Sequence, residues 1–522
     1  MKGASASRPL LLGGLFFLLA GAAGLVLGLP GGARPLRQWI LPDAEGLLLI
    51  ADLEELRSGV AKMLSGGPDL GSQLAAGAVR GLASGKLGFD PLEARVFTEL
   101  GLDPHRGTLL VSAGDGCGYL VAGVAEPERL RRRLPEILER FGLIAQPTAG
   151  TAELFASGSE AAAASYVDDD LLLAGCGKLS LFGSHKDLAP RTLALLDEVL
   201  ALDPAQSLAA REPGLEAAFE AVSPASGVLY VPIRGLAAAG SAAAGQAGAG
   251  EPPGGLEAIA LGLSVENQRM DLVGYLLLAP SAVADVRAVA TPAAPPGDLL
   301  AWVPPGASFF ARLSVGPREL LNRMQEQLPD LVGGMINVAR EQAQALDLQW
   351  DRDLVDNLSG QVVWASIPAR SGGLFGFGRD KAARELLVVQ VRDVKRTREA
   401  LARVGDKVAG GLALKLGRID LAPDGLEGLW RLEGSLLLLS MYRDWLAGLK
   451  PGSGPLDPKT LPPRIAERLK QREASFFYLD LSGPGLQGAA LGLGRVAGAA
   501  VVDPRGLRVE ASFLPGREAA AR

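Results

Sequence analysis

The sequence predicts an α+β protein: an N-terminal transmembrane helix, then two tandem, duplicated domains of mostly antiparallel sheet with helices packed on one face. Three observations predict it. The uncharged run 10–29 is long enough to span a bilayer. The remaining chain repeats one order of elements, over 42–280 and again over 299–516. Within each copy hairpins outnumber strand–helix–strand crossovers, as in antiparallel sheets.

At the N-terminus, Lys2 and Arg8 precede the run, Pro30-Gly31-Gly32 ends it, and Arg34 and Arg37 follow. Twenty helical residues rise about 30 Å, the thickness of the hydrocarbon core. A cleavable signal peptide has a shorter apolar stretch. The run therefore reads as a retained anchor, with a signal peptide as the alternative. The short basic tail 1–9 should stay in the cytoplasm. A single-pass protein of the inner membrane follows, with the bulk of the chain periplasmic.

Each copy opens on a proline-led strand and a helix: Leu41-Pro42 before GLLLIADLEELRSGVAKML, and Val303-Pro304 before ASFFARLSVGPRELLNRMQ. Proline suits the first position of a strand, where no ladder hydrogen bond is lost. A second strand follows a polar turn, GTLLVSAG (107–114) and GQVVWASIP (360–368). A third runs into a basic helix, with Glu126 and Asp393 at the two helix starts. There a negative group complements the dipole and an aspartate can cap. A hairpin comes next (162–176 and 426–440), then a helical stretch, then a strand carrying Tyr230 or Tyr478. A last hairpin closes each copy, the second through the turn Asp503-Pro504-Arg505-Gly506. The count comes to about seven strands and three helices per copy. The Ala/Gly tract 237–255 reads as a flexible loop, 281–298 as a linker and 517–522 as a tail.

This order resembles the bacterial DUF3352 proteins. The resemblance rests on Leu41-Pro42, the turn Leu100-Gly101-Leu102-Asp103-Pro104, the helix start Val391, Asp393, Lys395, the pair Ser207-Leu208 and the strand Tyr478-Leu479-Asp480. It spans most of 40–516 through short motifs, and this chain departs from it in having Pro232 where the second copy has Asp480. The resemblance implies an extracytoplasmic, membrane-anchored protein of the cell envelope and carries no catalytic residues with it.

Composition narrows the chemistry. With 52 basic and 58 acidic residues the net charge is −6, which does not support a nucleic-acid footprint. A structural zinc site needs about four histidine or cysteine ligands close together, and the two histidines and two cysteines here are scattered along the sequence. No G-x-S-x-G or Walker spacing occurs, and Gly492-x-Gly494-x-x-Ala497 lacks the strand–helix context of a dinucleotide site. No metal, cofactor or catalytic residue is assigned.

Several constellations remain. Asp168-Asp169-Asp170 reads as a hairpin turn rather than a cation site, because the matching residues are Glu433-Gly434-Ser435. Gly114-Asp115-Gly116-Cys117-Gly118 reads as another turn, and His105 and His185 as loop residues. Cys117 and Cys176 are either buried thiols or a disulfide suited to an oxidising compartment. Arg131, Arg132 and Arg133 are candidates for membrane or partner contact, set against a solvated helix face with Glu128 and Glu136 nearby. The loop 371–384 offers Leu374, Phe375 and Phe377 beside Arg379 and Lys381, which could enter a membrane or partner groove or fold back on their own domain.

The expected function is a non-enzymatic envelope protein whose duplicated domains act as a binding or scaffolding module. Its partners would be the membrane through 10–29 and an envelope protein. A lipid- or apolar-ligand-binding protein is the alternative, and a carboxylate-dependent hydrolase a lesser one.

Overall fold

The structure, a computed structural model, describes residues 34–65, 77, 80–81, 84–85, 87–114, 116–147, 151–177, 188–233, 255–266, 269–292, 298–327, 329–367, 384–409, 414–416, 419–421, 429–452, 461–471, 473–480 and 493–515. The chain divides into two compact units, one ending at Ala279 and the other beginning at Pro280. The expected anchor, 10–29, lies outside the described residues, and no helix among them is long and apolar enough to cross a membrane.

In the first unit, strands β1 (Gly46–Ile50), β2 (Thr108–Gly114), β3 (Cys117–Gly123), β4 (Ile144–Gln146), β5 (Glu153–Ala156), β6 (Glu160–Val167), β7 (Asp170–Gly177), β8 (Gly227–Pro232), β9 (Leu256–Glu266) and β10 (Arg269–Leu278) form one sheet. Every pairing is antiparallel, in the order β4-β5-β6-β7-β3-β2-β1-β8-β9-β10. The helices are α1 (Leu53–Ser65), α2 (Val96–Leu100), α3 (Pro127–Arg140), α4 (Leu188–Ala201), α5 (Leu208–Arg211) and α6 (Pro213–Val222).

The second unit holds α7 (Pro280–Ala290), β11 (Phe309–Ser314), α8 (Pro317–Gln327), α9 (Pro329–Ala345), β12 (Leu358–Ile367), β13 (Arg384–Val391), α10 (Val394–Ala409), β14 (Leu414–Leu416), β15 (Ile419–Leu421), β16 (Trp430–Glu433), β17 (Leu436–Leu439), α11 (Arg443–Gly448), α12 (Pro463–Arg468), β18 (Ser475–Asp480), β19 (Leu493–Asp503) and β20 (Gly506–Pro515). Its sheet runs β16-β17-β13-β12-β11-β18-β19-β20, all antiparallel, with β14–β15 a separate hairpin. Set beside β6-β7-β3-β2-β1-β8-β9-β10, this is one order of eight strands built twice. The short pair β4–β5 carries too little pattern to be read from sequence.

Two expectations need correction. Helices do not pack on one face only. In the first unit α4, α5 and α6 cover Leu47, Leu109, Tyr119 and Leu172, while α3 covers Leu120, Ala122, Leu171 and Leu173 on the other face. Helices α1 and α2 bury Leu53, Leu56, Val96 and Phe97 on that second face, with Leu48 and Leu110 against them. The reason lies in the strands. Strand β7 is buried from Asp170 to Cys176, so both its faces are removed from water, and a strand apolar on both faces needs two covering layers. The segment 281–298 is also more than a linker, since α7 occupies most of its first half and belongs to the second unit.

Local chemistry accounts for the turns. Asp168 and Asp169 both take left-handed backbone, φ 47° and 64°, as the two-residue turn of a β6–β7 hairpin requires. Gly434 (φ 57°) serves the matching turn. Asp393 caps α10, its Oδ1 accepting from the Arg396 N–H at 2.9 Å, whereas Glu126 makes no such cap and pairs with Arg129 instead. Of the would-be dinucleotide motif, Gly494 and Ala497 fall in β19, an extended strand that leads into β20 rather than into a helix. Glycine is required where the second strand begins. Gly360 has φ +90°, and a Cβ there would lie 2.0 Å from the Val315 carbonyl oxygen. Gly360→Ala is expected to lower stability by about 2 kcal/mol or more, read as a lower urea midpoint. An unchanged midpoint would refute the requirement.

Candidate functional site

The polar centre of the first unit forms around one ladder. Strand β7 joins the outer strands β4, β5 and β6 to the body of the sheet through β3, from Cys117↔Cys176 at one end to Gly123↔Asp170 at the other. Each end carries a tie beyond the backbone bonds. At the first, Cys117 and Cys176 are joined as a disulfide, so no described cysteine is free.

At the second end the tie is ionic. Asp170 opens β7 and is 2% exposed. Its Oδ1 meets Arg106 Nη2 at 2.9 Å, while Oδ2 is buried without a partner. Arg106 also donates to the Asp169 carbonyl at 3.0 Å, so it clasps the turn as well as the carboxylate. Its stem lies over Gly123, where a Cβ would fall 2.4 Å from Arg106 Cβ. Burial pushes the Asp170 carboxyl up to about 6, with Arg106 opposing the rise and Asp169 and Asp168 adding to it.

The residues beside Arg106 tie its loop to α1. His105 Nδ1 lies 2.9 Å from Asp52 Oδ2, and Asp52 Oδ1 accepts from the N–H groups of Glu54 and Glu55, capping the helix. The Leu53 N–H donates to the Pro104 carbonyl. The hydrogen bond to Asp52 raises the His105 pKa. His105 is thus a surface loop residue with a specific partner, and 103–107 joins α1, β3 and the β6–β7 turn.

The second unit offers a different surface. On β11, Phe310, Arg312 and Ser314 face the buried side of the sheet, and Phe309, Ala311 and Leu313 the other. On that other side a cross-strand row runs Leu387, Trp364, Ala311, Phe477, Gly498. Trp364 is 45% exposed, Leu313 50% and Val509 36%. Phe309 meets Trp364 edge-on, with ring centroids 5.1 Å apart. The first unit's counterpart of Trp364, by the register Leu48↔Leu110 against Ala311↔Trp364, is Leu110, and that residue packs against α1 and α2.

The residues singled out from sequence are placed as follows. Arg131, Arg132 and Arg133 are exposed on α3, but Arg131 pairs with Glu128 at 2.9 Å, Arg133 with Glu136 at 2.8 Å, and Arg132 donates to a carbonyl of its own helix. Arg131 also stacks over Tyr166 at 4.7 Å. These arginines are thus occupied by local partners. Leu374, Phe375, Phe377, Arg379 and Lys381 lie outside the described residues, as do His185 and all of 237–255 but Gly255. Among the described residues no group of three or more His, Cys, Asp or Glu could hold a metal ion. Sequence reading missed Arg106, Arg312 and Trp364, and it placed Asp170 in the acidic turn without its partner Arg106. For Trp364 a signal existed: it alternates with Val363 and Ala365, so a tryptophan must stand on the side opposite the core.

No protein-family model matches the chain. No curated protein matches it either. Among solved structures it is similar to TP0453 in crystal form IV, at 11% identity and TM-score 0.27 over 49% of this chain and 86% of that one. TP0453 in crystal form III is similar at 10% identity and TM-score 0.27, over 48% and 81%.

Proposed function

We propose that this is a non-enzymatic binding or scaffolding protein of the cell envelope, held by an anchor at 10–29, with its two units outside the inner membrane. The observation that carries the binding role is the exposed apolar face of the second unit's sheet, which bears Trp364 in one cross-strand row and Leu313 and Val509 in the next. A sheet face of this kind is commonly covered in the working assembly. The polar residues argue the same way. Arg106, Asp170 and Arg312 are consumed by bonds within the scaffold rather than converging on an open site. The Cys117–Cys176 bond supports an oxidising compartment, and the basic flank of 10–29 supports the orientation. The occupant proposed for the face is the apolar surface of a protein partner.

The test is a photo-reactive residue at 364 in the full-length protein, compared in living cells with one at the exposed helix position Arg398. Discrete protein adducts specific to position 364 are the expected result. Adducts carrying lipid mass would replace this reading with apolar-ligand binding. Equal labelling at both positions would refute a binding role for the face.

A further inference from the structure

The segment 34–41, which follows the apolar run 10–29 after only four residues, is built into the core of the first unit. We propose that this segment seats the first unit directly on the membrane, with the face formed by 34–38 and the turn Pro204–Gln206 resting on the phospholipid headgroups. The inference rests on the anchor at 10–29 proposed above and adds which surface meets the lipid.

The attachment is tight. Trp39, Ile40 and Leu41 are each at most 2% exposed and share a core with Leu47, Leu208 and Phe219. The buried Tyr119 grips the backbone on both sides of Ile40. Its hydroxyl donates to the Trp39 carbonyl at 2.7 Å and accepts from the Leu41 N–H at 2.9 Å. The Ile40 carbonyl in turn accepts from the Leu208 N–H at 2.9 Å. Nearer the anchor, Arg34 stacks over the Trp39 ring at 4.0 Å and donates to the Gln38 carbonyl. Arg37 pairs with Glu216 and lies over the Phe219 ring at 4.7 Å. Pulling the segment out would expose three large side chains and strand a buried hydroxyl, so it stays seated.

Chain length then sets the distance to the lipid. A free tether of the twelve residues 30–41 would reach about 40 Å and let the unit tumble. With 34–41 fixed, only Pro30 to Ala33 remain, and four residues span at most about 14 Å. The headgroup layer itself takes about 5–8 Å of that. Arg34 therefore stands within about 10 Å of the headgroup surface, on a unit about 45 Å across. A short link on so large a body leaves little choice of which face meets the membrane.

The neighbours of Arg34 define that face. The turn Pro204–Gln206 lies beside Leu36–Trp39, and its three residues are exposed. The Glu216 carboxylate is paired with Arg37 and Asp203 faces Arg34, so neither meets lipid phosphates uncompensated. Helix α3, with Arg131, Arg132 and Arg133, covers the other side of the sheet, about 20 Å further through packed layers.

The test uses the full-length protein in vesicles of phosphatidylethanolamine and phosphatidylglycerol containing headgroup-nitroxide phosphatidylcholine. A genetically encoded coumarin residue replaces Gln206 in one variant and Arg132 in another. Nitroxide quenching at least about threefold greater at 206 than at 132 is the expected result. Inserting about twenty Gly/Ser residues between Gly31 and Gly32 adds a tether of about 25 Å and should bring the two positions close to equality. Failure of the protein to float with the vesicles overturns the anchor, and this inference with it. Floating protein quenched equally at both positions overturns the inference alone. A full difference retained after the insertion overturns the short link as its cause.

Discussion

Reduction of the Cys117–Cys176 bond is expected to lower the melting temperature of the first unit by about 8–16 °C. The bond closes a loop with a sequence separation of 59, enclosing α3 and strands β4, β5 and β6. In the loop-closure account, a crosslink over about 60 residues removes about 4 kcal/mol worth of disorder from the unfolded chain. For a unit of this size each kcal/mol is worth about 2–4 °C. The second unit contains no cysteine, so its transition serves as an internal reference in the same scan. Differential scanning calorimetry with and without reductant, repeated on Cys117→Ala/Cys176→Ala, reads the effect. A first-unit transition that stays within a degree would mean the ladder and α3 hold the wing without the crosslink.

The second large effect is expected at Arg312. This residue is 3% exposed on β11, yet it pairs with no carboxylate among the described residues. Its guanidinium donates to the carbonyls of Leu469 at 2.8 Å, Ala474 at 2.9 Å and Gln471 at 3.2 Å, gathering the chain that follows α12. Burial lowers its pKa, the direction expected for a desolvated cation. Arg312→Met keeps much of the length and removes the donors. Three carbonyls, that of Ala474 buried and those of Leu469 and Gln471 part-buried, then lose this donor, at about 1 kcal/mol each, so a loss of about 3 kcal/mol is expected in urea unfolding. By strand register the first unit has Leu49 here, since Leu47 lies opposite Tyr230 as Phe310 lies opposite Tyr478. Leu49→Met should cost less than about 1.5 kcal/mol, because one apolar group replaces another of similar volume. Equal costs at the two positions would show that Arg312 serves by bulk alone.

Leu49 and Arg312 also mark how far the sequence could be read. Both are inward positions of the same strand in the two copies, and the repeat was visible because strands, turns and helix starts are local signals. Asp393 could be read as a cap from its place before a helix, and Asp168-Asp169 as a turn from their place between two apolar runs. That Arg312 points inward follows only from parity along β11, which Phe310 and Tyr478 set once the strands are paired. The covering of both sheet faces was written in the unbroken apolar run of β7, but the count of helices on each face required knowing where each helix returns. The candidate site was less legible. Arg106 and Asp170 are separated by more than sixty residues of intervening structure, and the acidic run 168–170 carries no local sign of its arginine partner.

The sequence alone determined the order of the elements, their duplication, the hairpin turns and the shortage of metal and nucleophile ligands, because each is carried by neighbouring residues or by composition. The tertiary structure decided which charges lose contact with water, which sulfurs meet, and which apolar side chains remain uncovered. Desolvation and close contact are properties of a place where distant segments converge. Asp170 is an ordinary turn carboxylate until β3, the loop 103–107 and Arg106 close around it, and Trp364 is an ordinary strand residue until the neighbouring rows show that its face is open.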